Sequence, residues 1–201
     1  MTVPQTVPPR LVVGISGASG VVFGIRLLAV LRRIGVESHL VLSRSAEVTL
    51  AHETDLKAAD VRALAAVSYA ASDIGAAIAS GSFRTLGMIV APCSVRSMSE
   101  IASGVTSTLL TRAADVTLKE RRPLVLMVRE TPLHLGHLRT MLRLAEMGAV
   151  LAPPVPAFYA RPRTVDDLVD HAVGRALDLF GLDAGIVRRW GEPAEPEILE
   201  T

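Results

Sequence analysis

The 201-residue chain has one cysteine, almost no net charge and no long hydrophobic run, and each shortage excludes a class of protein. A single cysteine, Cys93, rules out an internal disulfide framework and a cysteine-only zinc site. The 21 basic and 20 acidic residues nearly cancel, so no charge surplus indicates nucleic-acid binding. Mean hydropathy is high, +0.41, yet no apolar run approaches the roughly 18 residues of a membrane span. The excess apolar surface therefore predicts burial between subunits of an oligomer.

The chain is of the right size for a single domain. Residues 1–10 contain three prolines and are predicted to form a flexible N-terminal arm, and the acidic, proline-broken residues 191–201 a C-terminal tail. The globular domain is then 11–190. Because MTVPQTVPPR has no apolar h-region, no signal peptide is expected, and we expect a cytoplasmic protein.

Short apolar runs alternate with helical patterns along the domain. The runs that predict buried strands are LVVGI (11–15), SHLVL (38–42), MIVAP (88–92), LVLMV (124–128) and AVLAP (149–153). Helical spacing covers 20–34, 44–52, 60–70, 95–117 and 133–147, and Thr164 caps a last helix. Such alternation predicts an α/β fold with a doubly wound parallel sheet, which binds ligands beyond the carboxyl ends of its strands.

Small residues follow the first strand. Glycines at 14, 17 and 20 give a GxxGxxG spacing, unlike the GxGxxG of dinucleotide sites, and Ser43 stands where an NAD site needs an acid. A loop of this kind opening a helix still makes an anion site, with Ser16 and Ser19 as hydroxyl donors. A phosphate-bearing ligand other than NAD is favoured, and a tight turn without ligand is the alternative.

Two further strand ends carry polar residues. Ser94 and Ser97 flank a helix start and could form a second anion site, whereas the neighbouring Cys93 is better explained as a small buried residue than as a nucleophile. Arg129 and Glu130 follow the wholly apolar fourth strand, either as functional residues or as a structural salt bridge.

Other candidates are weaker. Lys119 is one of only two lysines beside 19 arginines, so it is either a phosphate ligand or part of a charged helix end. Tyr159 could reach a ligand or pack in the core with Phe158. His134 and His137 lie three apart on a helix, but no third ligand is near, so no metal is expected.

Together these segments resemble the UbiX-type flavin prenyltransferases over about 11–190. The resemblance is carried by GISGASG (14–20), HLVLSRSAE (39–47), HETD (52–55), SGSF (80–83), MIVAPCS (88–94), TRAADVTLKERRPLVLMVRETPLHLGHL (111–138), GAVLAPPVPAFYARP (148–162) and RRW (188–190). It implies a flavodoxin-like Rossmann fold, bound FMN, a homododecamer built of trimers and no metal. The implied reaction joins a dimethylallyl group from dimethylallyl monophosphate to N5 and C6 of FMN, and the prenylated FMN serves a UbiD-type decarboxylase.

The resemblance also implies residue roles. The implied FMN ligands are Gly17, Ala18, Ser19, Ser43, Ser94, Val95, Arg96, Ser97 and Arg129. Tyr159, Arg175 and Lys119 would bind the prenyl phosphate, and Ser19, Lys119, Glu130 and Glu53 would be catalytic. Glu53 would close the site from a neighbouring subunit.

Three positions depart from many relatives. Arg96-Ser97 stands in place of Lys-Thr, and Ser107 in place of an aspartate. The first change affects a side-chain contact and the second a local hydrogen bond. Two other functions stay open: an FMN-dependent decarboxylase acting on a cysteine-derived substrate, and a non-catalytic FMN carrier.

Overall fold

A computed structural model describes residues 8–191, in which six parallel strands form one sheet. The strands are β1 (Arg10–Ile15), β2 (Glu37–Leu42), β3 (Val67–Tyr69), β4 (Met88–Cys93), β5 (Leu124–Val128) and β6 (Val150–Leu151). Their order across the sheet is β3-β2-β1-β4-β5-β6. Without the short edge strand β3, the order of the remaining five is that of flavodoxin-like sheets. The predicted fold class is confirmed.

Seven α-helices cover the two faces of this sheet. They are α1 (Val21–Arg33), α2 (Arg44–Glu53), α3 (Ala58–Leu64), α4 (Val95–Ser103), α5 (Leu109–Lys119), α6 (Leu135–Glu146) and α7 (Val165–Asp178). As predicted, the Thr164 side chain caps α7 by accepting from the Asp167 N–H, and Gly148 follows α6 with a positive φ of 94°.

The apolar residues divide into two cores, one on each side of the sheet. One core packs α1 and α7 against β1 and β2, and the other packs α4 and α5 against β4 and β5. Every residue of β4 and β5 is buried, as expected for central strands covered on both faces. This arrangement leaves the two ends of the parallel strands as the places for polar chemistry. We call them the amino edge, where the strands begin, and the carboxyl edge, where they end.

The structure differs from the predicted elements in three places. The predicted helix over 60–70 ends at Leu64, and Val67–Tyr69 pairs with β2 instead. The predicted helix over 95–117 is broken at Gly104, which takes a left-handed conformation and separates α4 from α5. The predicted strand over 149–153 is shortened to β6, Val150–Leu151, because the prolines at 153 and 154 have no N–H to donate to the neighbouring strand.

The ends of the described region bear on the predicted arm and tail. Arg10, the last residue of the predicted arm, already belongs to β1, and its Nε lies 3.3 Å from the Glu37 carboxylate. Residues 1–7 and 192–201 lie outside the described residues, so most of the arm and of the tail remain predictions. Between residues 8 and 191, none of the helices has the length and apolarity that crossing a membrane demands.

Candidate active site

The loops after β1 and β4 meet at the carboxyl edge, where the strand order reverses. Ser16 joins them: its Oγ donates to the Pro92 carbonyl over 2.8 Å and accepts from the Ser94 N–H over 2.7 Å. Ser16 is fully buried, so the expectation that its hydroxyl faces a ligand is wrong. Buried backbone groups of two adjoining loops need hydrogen-bond partners. Ser16 bonds to one carbonyl and one N–H of the loop after β4, and so fixes the two loops relative to each other.

The loop after β1 ends in a carboxylate clamp. Glu53, the last residue of α2, accepts from the N–H of Gly20 at 2.9 and 3.0 Å and of Val21 at 3.0 Å. These N–H groups open α1, where the helix dipole favours an anion. The Ser19 hydroxyl and these two N–H groups hold the pKa of Glu53 below its usual 4.5, although partial burial opposes them.

The position of Glu53 bears on two expectations. Glu53 contacts the glycine loop of its own chain, and the closure from a neighbouring subunit that the resemblance implied stays a prediction. The chain's own carboxylate also occupies the anion position at the start of α1, so a phosphate placed there would meet a like charge. The loop therefore supports something other than a phosphate.

Gly17 brings this loop against the start of α2. A Cβ at Gly17 would collide with the side chain of Ser45 and lie 2.9 Å from its carbonyl carbon. Ser43 caps α2 by accepting from the Ala46 N–H at 3.1 Å, and its Oγ lies 3.1 Å from Ser45 Oγ. Glycine is required at position 17 because a residue with a Cβ does not fit beside Ser45. The surface between the ends of β1 and β2 is therefore lined by small residues.

The start of α4 is the better phosphate site. Ser94 caps α4 and accepts from the Ser97 N–H at 3.2 Å, while over residues 8–191 no acceptor takes the N–H of Val95 or Arg96. The Arg96 side chain is 77% exposed and pairs with Glu100 at 2.8 Å. Two unpaired N–H groups at a helix N-terminus, a serine hydroxyl and no competing carboxylate suit a dianion.

Ser107, which stands where many relatives have an aspartate, makes a local hydrogen bond to Glu100. Ser107 Oγ donates to Glu100 Oε2 over 2.9 Å, so Glu100 is held by both Ser107 and Arg96. These two bonds lower the pKa of Glu100 against its partial burial. The hydrogen bond placed in doubt by the sequence is replaced by this one.

The end of β5 presents Arg129 and Glu130 as exposed side chains. Glu130 Oε1 accepts from the N–H of the next residue, Thr131, at 3.0 Å. Within the described chain no ion pair joins Arg129 to Glu130, so the salt-bridge alternative is wrong. The positive charge of Arg129 helps to lower the pKa of Glu53, which places its guanidinium on the same edge as the glycine loop.

Cys93, the last residue of β4, is a buried residue as predicted. Its exposure is 0%, and burial raises the pKa of its thiol to about 12. A thiol with this pKa is not ionised at neutral pH and is a poor nucleophile.

Lys119 lies at the opposite edge of the sheet from Glu130. It is the last residue of α5, just before β5 begins, and its Nζ pairs with Glu120 at 2.5 Å. Five strand residues at about 3.3 Å each separate the two edges by roughly 16 Å. Lys119 therefore does not reach the carboxyl edge of its own chain.

Tyr159 and Arg175 both lie at α7: Arg175 belongs to the helix, and Tyr159 packs against it. Tyr159 belongs to a short 3₁₀ turn and is 42% exposed, and Phe158 beside it is 76% exposed, so the core-packing alternative is wrong. Tyr159 Oη lies 3.1 Å from His171 Nε2. Arg175 pairs with Asp178 at 2.6 Å. Sequence reasoning missed His171, whose only signal was its spacing of four from Arg175 on one helix face.

The two histidines near α6 do not build a metal site. His134 caps the helix, its Nδ1 accepting from the Gly136 and His137 N–H groups, and the two imidazole rings stack with centroids 3.5 Å apart. In the part of the chain that the structure describes, no three His, Cys, Asp or Glu side chains group as metal ligands do.

The chain as a whole is similar to several known proteins. The family model described as Flavoprotein matches residues 4–177. Flavin prenyltransferase UbiX of Thauera aromatica is 55% identical over 192 residues, which cover 96% of this chain and 99% of that protein. Flavin prenyltransferase UbiX of Escherichia coli K12 is 58% identical over 184 residues, covering 90% and 97%.

A solved structure adds a view of ligands. AnUbiX (PadA1), determined with FMN and dimethylallyl pyrophosphate, superposes with a TM-score of 0.91 at 50% identity, covering 94% of this chain and all of that one.

Proposed function

The chain belongs to the flavoprotein family and, within it, to the UbiX flavin prenyltransferases, and from this premise we propose the details of its reaction. It is a transferase that uses FMN. It joins a dimethylallyl group from dimethylallyl monophosphate to N5 and C6 of reduced FMN. The prenylated FMN leaves for a UbiD-type decarboxylase. The enzyme works in the cytoplasm.

One observation carries the proposal: loops from three strand ends meet at one edge, and the start of α4 gives that edge an anion site. The start of α4, with Ser94 to Ser97, holds the FMN phosphate because its leading N–H groups have no carboxylate in front of them. The wall of Gly17, Ala18 and Ser43 leaves room for a flat ring, and Ser19 holds Glu53 beside it. When bound, reduced FMN supplies the nucleophilic nitrogen and carbon.

The charged residues of this chain account for the loss of the phosphate. A phosphate monoester leaves readily only when its developing charge is stabilised. Lys119 and Arg175 supply positive charge, and the Tyr159 hydroxyl donates a hydrogen bond. Glu130, exposed after β5, delivers a proton to the departing oxygen. Arg129 helps to keep Glu53 ionised on the same edge.

The location of Lys119 supports a site shared between subunits. Its side chain and Glu130 lie at opposite edges of β5, so a second chain must supply the lysine to each site. An outward stripe on α6 offers a contact surface, with Leu135, Leu138 and Leu142 between 49% and 60% exposed. We infer a homododecamer with active sites at subunit junctions. An FMN-dependent UbiX-like decarboxylase from E. coli O157:H7, described as dodecameric, supports the oligomeric state. That chain has a TM-score of 0.89 at 50% identity, with 91% and 100% covered.

Mass spectrometry of the released flavin tests the reaction. The protein is incubated without oxygen with reduced FMN and dimethylallyl monophosphate, and in a second arm with the diphosphate. The expected product is FMN bearing one additional five-carbon group, formed with the monophosphate. Unmodified FMN in both arms would make the protein a carrier, and carbon dioxide release from a cysteine-terminated peptide would make it a decarboxylase. The Glu130→Gln variant is the control, because it keeps the shape of the site and loses the proton.

A further inference from the structure

Tyr159 is held by two aromatic neighbours from different parts of the chain. His171, on α7, places its Nε2 3.1 Å from the Tyr159 hydroxyl, with the two rings edge to face at 5.6 Å. Trp190, near the end of the described chain, meets the tyrosine edge to face at 5.3 Å. The tyrosine itself lies in a short 3₁₀ turn of a proline-rich loop rather than in a long element. Its orientation therefore depends on these two neighbours.

Of the two neighbours, only His171 bonds to the hydroxyl. The Trp190 side chain is 81% exposed and contributes only ring packing, which leaves the direction of the O–H group undetermined. The His171 nitrogen is the side-chain partner that fixes where the oxygen lies. The loss of a hydrogen bond of this kind typically changes an equilibrium constant by about fivefold.

We propose that His171 is a positioning residue for the prenyl-phosphate site: its Nε2–H donates to Tyr159 Oη, which holds the hydroxyl in place and leaves the hydroxyl's own proton for the phosphate. The inference rests on the proposed function, in which Tyr159 donates to that phosphate. His171 itself does not touch the reacting atoms. Its contribution is to reduce the entropy that Tyr159 loses when substrate binds, so it acts on substrate affinity more than on the chemical step.

The surroundings of His171 fit a neutral positioning group. Arg175 and Asp178 face it from its own helix, and the backbone of Arg188 from the C-terminal segment. Burial and the charge of Arg175 lower the pKa of His171, and the Arg188 backbone and Asp178 oppose that shift. The imidazole is therefore neutral at neutral pH, so His171 adds no positive charge of its own to the phosphate site.

A cavity of about 420 Å³ lies against the same ring. It is bordered by charged side chains of both signs, namely Arg161, Arg163, Arg188, Asp167 and Asp170. The ring of His171 lines this cavity from the α7 side, while its Nε2 points to Tyr159. Ala157 and Ala160, on either side of Tyr159 in its loop, also line this cavity. The loop therefore has open space beside it, and removing the His171 bond would free the hydroxyl to turn away.

A double-mutant cycle tests the inference. His171→Phe keeps an aromatic ring and removes the hydrogen bond, and His171→Gln restores a polar atom near the position of Nε2. Each is made in the native chain and in the Tyr159→Phe chain, and KM for dimethylallyl monophosphate, kcat and the FMN dissociation constant are measured. His171→Phe should raise KM about fivefold, as expected for the loss of one hydrogen bond, with kcat and FMN affinity unchanged. His171→Gln should stay within about twofold of native, because it restores that bond.

The Tyr159→Phe background is the matched control. With no hydroxyl to hold, His171→Phe should change KM by less than about 1.5-fold there. The inference is overturned if His171→Phe has the same effect in both backgrounds, or if His171→Gln is as poor as His171→Phe. Failure of the proposed function looks different, because the native protein would then form no prenylated FMN at all.

Discussion

The two edges of the sheet use polar residues in opposite ways. At the carboxyl edge, side chains bond to backbone N–H groups: Glu53 to the start of α1, and Ser94 to α4. At the amino edge, side chains bond mainly to one another, as Arg10 does with Glu37 and Lys119 with Glu120. An edge where helices begin has unpaired donors for anions, whereas an edge where helices end has none. This difference is the reason that we assign ligand binding to the carboxyl edge and support of the sheet to the amino edge.

A buried cluster shows how the supporting side works. His39 of β2 is 2% exposed, and its two ring nitrogens lie 2.9 Å from Tyr69 Oη and 3.1 Å from Glu37 Oε1. Burial lowers the pKa of His39 despite the attraction of Glu37. The cluster joins β2 to the edge strand β3, and the Arg10 guanidinium stacks 4.8 Å from the Phe83 ring beside it. Lys119 differs from this cluster in its burial, because its side chain is 47% exposed.

The strongest test of the comparison is complementation between subunits. Lys119→Ala and Glu130→Gln should each lower the prenylation rate about a hundredfold to a thousandfold while FMN still binds, since each removes one charge or proton from the phosphate. Coexpression of the two variants with different tags gives mixed oligomers. If the two edges meet across a subunit junction, about a quarter of the sites hold both native residues.

The measurement is the prenylation rate of the purified mixed oligomer. Recovery to roughly that fraction of native activity supports a shared site. The control is a mixture of the two variants purified separately and combined without exchange, which should stay inactive. An inactive mixed oligomer would mean that both residues act within one chain, and the separation of the edges would then have no functional role.

Glycine substitutions at the two edges should have unequal effects on FMN. At Gly17 a Cβ meets Ser45, including its backbone, so Gly17→Ala must move the loop and should weaken FMN binding at least about tenfold. At Gly81 a Cβ meets only the carboxylate of Glu120 and the Lys119 Nζ, which can swing aside. Gly81→Ala should leave FMN affinity unchanged and stability within about 0.5 kcal/mol. Fluorescence titration with FMN checks both, and equal losses would contradict the contrast.

The carboxylate clamp predicts a pH-dependent effect of intermediate size. Because the folded pKa of Glu53 is lowered, its stabilisation is complete above the usual value of 4.5 and is lost as the pH falls through the folded pKa. Glu53→Gln should cost about 0.5–1 kcal/mol of unfolding free energy at pH 7. Urea unfolding of the apoprotein, at one protein concentration, should show this difference shrinking as the pH falls below the usual value of 4.5. A difference that stays constant from pH 7 down through that range would argue against a charged clamp.

The smallest effect on function is expected at Cys93. With its thiol buried and a pKa of about 12, it should resist alkylation by iodoacetamide in the native protein and react once the protein is unfolded. Cys93→Ala should keep native prenylation and cost about 1 kcal/mol of stability, from the small cavity left behind. A loss of activity without a loss of stability would show that the thiol has a role at the carboxyl edge.

Much of the fold could be predicted because its signals are local in the sequence. The buried strands are continuous apolar runs, such as Leu124–Val128, and helix ends are marked by residues such as Thr164 and Gly148. The motif over 111–138 indicates the family for the same reason, since its residues are continuous along the chain. By contrast, the sequence of β3 is too short for its pattern to be distinguished from the end of a helix. Its strand conformation depends on pairing with β2, where Val67 lies opposite His39.

The sequence by itself determined the fold class, the family and the candidate residues for the chemistry, because hydrophobic period, caps and motifs are encoded between near neighbours. Only the tertiary structure decided how those residues are arranged. Glu53 and Gly20 are 33 positions apart, and Ser16 and Ser94 are 78 apart, so their bonds exist only once the chain has closed on itself. Lys119 and Glu130 are near in sequence yet lie at opposite edges, because an extended strand separates them by its full length.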